Sequence, residues 1–260
     1  MSSEPSGHPH AKPQATSEPH AVDVWERTRG YSGPAEAMNR RIFMQLNVFD
    51  CDPEVGAKET TVRLVQAIKE RGAAAVIYHD MNNPFGIGVL SWSENPSDFV
   101  LELRPCFDGS SGRGLRPRHE FTMVGRSYAS GFETDLKFWL LDRPVQTILN
   151  EKWPWAIWYP LRRSGAFAQL DGREQGAILK EHGEIGKAYG EQDLAHDVRL
   201  ACHGLDAHDN EFLIGLIGKD LHPLSHVVQA MRKTRQTAQY ISQMGPFFVG
   251  HVAERCLPRR

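Results

Sequence analysis

The 260-residue chain is predicted to be an α+β protein built from two tandem β-α-β-β-α-β units. Two nine-residue segments read as strands: 41–49 alternates strictly between apolar and polar or aromatic positions, and 155–163 places Trp155, Ile157, Tyr159 and Leu161 on one face. Each is followed by a helix start signal, a helical stretch, two strand-like runs, a second helix and a closing strand. The same order of elements occurs twice, without detectable identity between the halves.

The elements follow in chain order. Residues 1–35, rich in Ser, Pro, His and Glu, read as a disordered tail. Its His8, His10 and His20 could capture a metal adventitiously, but a solvated tail is the simpler reading. In RIFMQLNVF (41–49), Ile42, Met44, Leu46 and Val48 share one face. Asp52-Pro53 supplies an N-cap and a first-turn proline for a helix that stops at Gly72. AAVIYH (74–79) and IGVLSW (87–92) read as strands joined by the turn-rich DMNNPFG. A short helix begins near Asn95, and HEFTMVGRSYA (119–129) closes the first unit.

The second unit opens with WAIWYPLRR (155–163), where Trp155, Ile157, Tyr159 and Leu161 share a face. Asp171, with Glu174 three residues on, forms a capping box for the next helix. DVRLACH (197–203) and the nearly all-apolar EFLIGLIG (211–218) read as strands. A helix from about Asp220 to Tyr240 and the strand PFFVGHV (246–252) complete the unit. The expected organisation is a tail at 1–35, an N-terminal ferredoxin-like half at 36–150 and a C-terminal half at 151–260. Together the halves would form a dimeric α/β-barrel-type fold within one chain, with helices outside.

Composition narrows the partners. Hydrophobic residues make up 40% and charged residues 24%, the balance of an ordinary soluble globular protein. A formal net charge of −2 gives no electrostatic case for nucleic acid. No apolar run approaches the ~20 residues of a membrane span, and the polar N-terminus lacks a hydrophobic signal core, so a cytoplasmic protein is expected. Cys51, Cys106, Cys202 and Cys256 are widely spaced, without a Cys-x-x-Cys pair, and read as thiols rather than a zinc site or disulfide frame. Gly-Ser-Ser-Gly-Arg-Gly (109–114) resembles a phosphate loop but lacks the Gly-Lys-Ser/Thr ending, and reads as a surface linker.

One residue carries most of the chemistry. Ile178, His182, Ile185 and Tyr189 recur at i, i+4, i+7 and i+11, a single helix face aimed at a core. An imidazole on such a face needs a partner: a carbonyl or carboxylate in the bland case, a metal in the functional one. The cluster Trp153, Trp155 and Trp158 could wall a ligand pocket or form a subunit contact.

The second half resembles the chlorite dismutase-like superfamily, which includes chlorite dismutases and coproheme decarboxylases. The resemblance rests on Tyr159-Pro160 with basic residues after it, EHG-x-x-G-x-x-Y around His182, DVR at 197–199, and MRKTRQTAQY leading to PFFVG at 246–250. These run in the family's order from 155 to 252. The resemblance implies a tandem ferredoxin-like barrel, a homo-oligomer (pentamers are common) and an iron porphyrin, haem b or coproheme, with His182 as the axial iron ligand. Arg162 and Arg163 would then be the candidates to pair with propionates, at most one of them facing the pocket because adjacent strand positions face opposite ways, and Trp155 would line it.

Within the family, Tyr159 corresponds to the tyrosine that forms a radical in peroxide-dependent coproheme decarboxylation. Chlorite dismutation to chloride and oxygen needs a distal arginine, for which Arg199 is the candidate. Alignment on DVR leaves the neighbouring Leu200 as the alternative pocket residue, and a one-residue change of register exchanges the two. The family's aromatic pair before the histidine is replaced by Phe167 and Ala168. His196 and His203 flank the same strand as further candidates for a distal base. The leading expectation is a haem-dependent decarboxylase using hydrogen peroxide; chlorite dismutase and a non-catalytic haem carrier or gas sensor are the alternatives.

Overall fold

A computed structural model of the chain describes residues 22–28 and 35–258. Twelve strands occur in them: β1 (Glu26–Arg27), β2 (Ala37–Met38), β3 (Phe43–Asp50), β4 (Ala75–Asp80), β5 (Gly86–Ser93), β6 (Arg116–Pro117), β7 (Met123–Arg126), β8 (Trp155–Arg163), β9 (His196–Ala201), β10 (Phe212–Gly218), β11 (Ile241–Met244) and β12 (Phe248–Cys256). The α-helices are α1 (Gly56–Arg71), α2 (Arg143–Leu149), α3 (Gly165–Ala168), α4 (Gly172–Glu191) and α5 (Leu221–Met231). The doubled β-α-β-β-α-β order holds, although the second helix of the first unit is a π-turn at Phe99–Leu103 running into a 3-10 turn at Arg104–Cys106.

Within the first unit the strands lie in the order β4-β5-β3-β7, and within the second β12-β8-β10-β9, the same arrangement. Pairing of β12 with β4 along most of its length, and of β7 with β9 at Arg126–Ala201, joins the two sheets into a closed antiparallel barrel. Closure leaves no open edge among these eight strands. Ile42, just before β3, and Met44, Leu46 and Val48 within it join Tyr78, Trp158, Leu200, Leu213 and Phe248 in one core. Because that core draws on both halves, the units are halves of one barrel.

Close packing inside is visible at Gly215, paired across strands with Trp158. A Cβ there would lie 2.5 Å from the Trp158 ring. Gly215→Ala is therefore expected to lower unfolding free energy by about 1–3 kcal/mol. Gly176→Ala, at an α4 position where a Cβ meets nothing within 4 Å, should instead raise it by about 0.5–1 kcal/mol. Denaturant titration of both variants checks the pair.

Several local expectations are corrected. Asp52 does not cap a helix: its carboxylate accepts from Glu54 N at 3.0 Å and its carbonyl from Gly56 N at 2.8 Å, making a turn, and α1 starts only at Gly56. The strand expected over 119–129 is limited to Met123–Arg126, after a 3-10 turn at His119–Phe121. The helix expected to reach Tyr240 stops at Met231, where the Thr234 hydroxyl takes the Met231 carbonyl at 2.8 Å in competition with the backbone. Asp171 does cap α4, accepting from Glu174 N at 2.8 Å, but the Glu174 carboxylate turns to Arg235 instead of closing the box.

The tail expected at 1–35 falls largely outside the described residues. Those described within it are built into the protein: β1 pairs with β2, and the Glu26 carboxylate accepts from Ala129 N at 3.1 Å and from Arg126 at 3.2 Å.

Candidate functional site

Each sheet has a barrel face and a helix face, and the two helix faces are filled differently. Under α1, twelve apolar side chains are buried and seven partly buried. Under α4 and α5 the proportions reverse, with seven buried and twelve partly buried. The partly covered set includes Trp155, Ile185, Tyr189, Phe212, Ile214, Met231 and Phe247. Along its twenty residues α4 buries only Ile178. Half-covered apolar surface between a sheet and its helices is what a flat apolar ligand would complete.

The strand register shows which side chains reach this layer. Paired residues on antiparallel strands share a face. Tyr159, Ile214 and Arg199 form one row across β8, β10 and β9, and Ile157, Leu216 and Asp197 form the next. Trp158, Gly215 and Val198 alternate with them toward the barrel, as do Pro160, Leu213 and Leu200. Arg199 thus stands on the helix face, whereas Leu200, fully buried in the barrel core, does not. The assignment of Leu200 as a pocket residue is corrected: odd-numbered residues of β9 face the helices and even-numbered ones the barrel.

His182 lies on the α4 stripe facing this layer, with Ile178 buried and Ile185 and Tyr189 packed against the same cluster. Burial, reinforced by the nearby Arg199 cation, pushes its pKa below the ordinary imidazole value. The ring is therefore neutral near pH 7, the form that carries a ligating lone pair. Its Nδ1 lies 3.4 Å from the Thr234 hydroxyl.

Arg199 belongs to a charged network. Its Nε lies 2.9 Å from an Asp197 oxygen, and the other Asp197 oxygen is 2.6 Å from Arg143 of α2, which also donates to the Asp197 carbonyl at 2.8 Å. Burial works against ionisation of Asp197, but Arg199 and Arg143 outweigh it and hold the carboxyl below its usual range. The Arg199 side chain keeps 45% of its accessible surface. With Nε committed to Asp197, its terminal N–H groups remain to meet an anion.

Tyr159 is buried, stacked on Phe247 at 4.6 Å between ring centroids. Burial, followed by the Asp197 charge, pushes its phenol upward, opposed by Arg232. It stays protonated through the neutral range. Arg232, which follows α5 and influences Tyr159, was not singled out from the sequence, because nothing in the spacing links positions 159 and 232.

Other expected residues have different employment. Arg163 shares the Tyr159 face, but its guanidinium is bound by Glu211 and lies over the rings of Phe167 and Phe212 at 4.4 and 4.8 Å. Arg162 donates to the His208 carbonyl. Arg163 is therefore already paired with a carboxylate, and Arg162 with a backbone carbonyl. Trp155 lies on the helix face, edge-on to His251 at 4.8 Å. His196 is stacked on Trp153 at 3.6 Å and bonded to Asp193 at 2.8 Å, and His203 packs edge-on to Phe212. His196 is thus held by stacking and a hydrogen bond, while His203 is exposed. Trp158 belongs to the barrel core.

Among the described residues, no three His, Cys, Asp or Glu side chains converge on a point that could hold a bare metal ion. A metal at His182 would have to bring most of its own ligands, as a porphyrin does. A neutral imidazole, a half-covered apolar layer and an anion-ready arginine on the facing strand fit such a group. No helix among the described residues is long and apolar enough to cross a membrane.

A closed barrel of two ferredoxin-like units in one chain, carrying a histidine helix over one sheet, defines a dimeric α/β-barrel class. The chlorite dismutase family model matches residues 120–253, just over half of the chain, and the chain belongs to that family. Solved structures agree in fold. A novel haem-binding protein from Thermus thermophilus superposes with a TM-score of 0.65 at 17% identity, covering 83% of this chain and 92% of that one. Chlorite dismutase from Candidatus Nitrospira defluvii in complex with imidazole does so with a TM-score of 0.62 at 16% identity, covering 84% and 93%. No match is found among curated proteins.

Proposed function

We propose that this chain binds an iron porphyrin through His182 and uses hydrogen peroxide to convert coproheme to haem b, with Tyr159 carrying the oxidation to the propionates. The observation that supports it most is the half-covered layer beneath α4, where neutral His182 faces a row containing Tyr159 and Arg199. The bound iron porphyrin supplies the redox chemistry with peroxide.

The chain's own residues divide the remaining work. His182 offers a lone pair and fixes the porphyrin beneath the helix. Arg199, steadied by Asp197 and Arg143, presents its terminal N–H donors to a peroxide anion. Tyr159 holds its hydroxyl hydrogen at neutral pH and can yield it as an atom to an oxidant, while Phe247 keeps the ring in place. The apolar walls keep bulk water from quenching an oxidised side chain.

Arg199 on the helix face also favours a second reading, chlorite dismutation, in which the same guanidinium would hold the oxyanion. The haem carrier or gas sensor reading draws on an apolar Leu200 and on the replacement of the aromatic pair by Phe167 and Ala168; Leu200 lies in the barrel core, and the replacement still supports it.

Adding ferric coproheme to the apo-protein, then peroxide, and reading porphyrin mass tests the proposal. The expected result is stepwise loss of two carboxyl groups. Unchanged mass, with oxygen released from chlorite, would replace it with the second reading. Arg199→Ala should slow peroxide-driven conversion by about 100-fold, with porphyrin affinity changed far less; stopped-flow and equilibrium titrations separate the two effects.

A further inference from the structure

We propose that Thr234 is the positioning residue for His182, setting which ring nitrogen is presented to a metal; this rests on the reading of His182 as the ligand. The geometry assigns the direction of each hydrogen. The Thr234 hydroxyl lies 2.8 Å from the Met231 carbonyl and 3.4 Å from His182 Nδ1. A carbonyl can only accept, so the hydroxyl hydrogen goes to Met231 at the shorter distance. The imidazole is then the donor, through Nδ1–H, and Nε2 keeps its lone pair for the open side of the layer.

The two carboxylates nearest His182 in sequence are engaged elsewhere. Thr234 is buried, at 2% exposure, just past the end of α5. The Glu181 carboxylate, next to the histidine in sequence, accepts from the backbone N–H of Arg235 at 3.1 Å. Glu184 lies 3.7 Å from Lys180 on the outer face of α4. A neutral hydroxyl, unlike a carboxylate, does not draw the Nδ1 proton away. The ligand therefore keeps imidazole rather than imidazolate character, and its bond to iron is correspondingly less electron-rich.

The break in the helix serves this contact. The Met231 carbonyl, freed where α5 ends, anchors the hydroxyl that anchors the ring. Thr237, whose hydroxyl lies 3.3 Å from that of Thr234, buttresses it from the following turn.

Two measurements test the proposal. In the apo-protein, nitrogen-15 NMR of the imidazole should report a single Nδ1–H tautomer for His182. Thr234→Val should convert it to a mixture, while Thr234→Ser restores the single form. In the ferrous haem complex, Thr234→Val should shift the iron–histidine stretching band and weaken porphyrin binding by about 10–100-fold, with Thr234→Ser again close to the parent. An Nε2–H tautomer in the parent, or an unchanged tautomer and band in Thr234→Val, would overturn the proposal. Failure of the ligand reading is distinguishable: His182→Ala would then leave the porphyrin spectrum intact, whatever Thr234 does.

Discussion

His182→Ala is expected to remove the absorption spectrum of a histidine-ligated ferric porphyrin and to weaken coproheme binding by about 100-fold or more. The half-covered apolar layer would still attract the ring system, so residual binding without the axial bond is predicted. Added imidazole should then restore the parent-like Soret band by filling the vacated position. The fold should survive, since His182 is not a core residue and makes one long hydrogen bond, to Thr234. Circular dichroism and thermal unfolding of the apo variant check that condition. A spectrum indifferent to the substitution would mean that His182 is a structural residue.

Tyr159→Phe is the second large effect. The phenylalanine keeps the 4.6 Å stack against Phe247 and the packing against Ile157 and Leu216, so binding should change no more than a few-fold. Conversion of bound coproheme by peroxide should fall by about 100-fold or more, because the removed atom carries the oxidisable O–H and nothing else. Single-turnover experiments on the preformed complex isolate that step from binding. Chlorite turnover, if present, should be insensitive to the same substitution while failing in Arg199→Ala. Tyr159→Phe therefore discriminates between the two reactions, since Arg199→Ala is expected to impair both.

The parts of the fold legible in the sequence are those where one face is apolar and the other is not. The alternation of Ile42, Met44, Leu46 and Val48 places β3 in the barrel wall, and the 178–182–185–189 stripe orients α4, both as the structure has them. In β9 and the residue after it the pattern itself was clear, with Val198, Leu200 and Cys202 apolar and Asp197 and Arg199 charged. What it could not convey is that the apolar face belongs to the barrel and the charged one to the site, because both faces of this sheet are covered. Arg163 misled for a related reason. Its placement on the Tyr159 face was readable, but its capture by Glu211 depends on a strand pairing 48 residues away.

Thr234 was invisible on similar grounds: it lies 52 residues from His182 and beyond a helix end that periodicity alone extended to Tyr240. The doubled topology, by contrast, needed no distant contacts, since helix stops, turns and strand runs succeed one another locally. Local signals thus fixed the order of elements, while the distribution of charge across the sheet needed the assembled barrel.

The most direct measurement is a crystal structure of the protein with ferric coproheme. The expected result is iron bonded to His182 Nε2, with the porphyrin lying between α4 and the sheet face that carries Tyr159 and Arg199. Porphyrin bound elsewhere, for example in the cleft lined by Trp92, Glu94, Phe99 and Leu103, or iron held by any other residue, would contradict it.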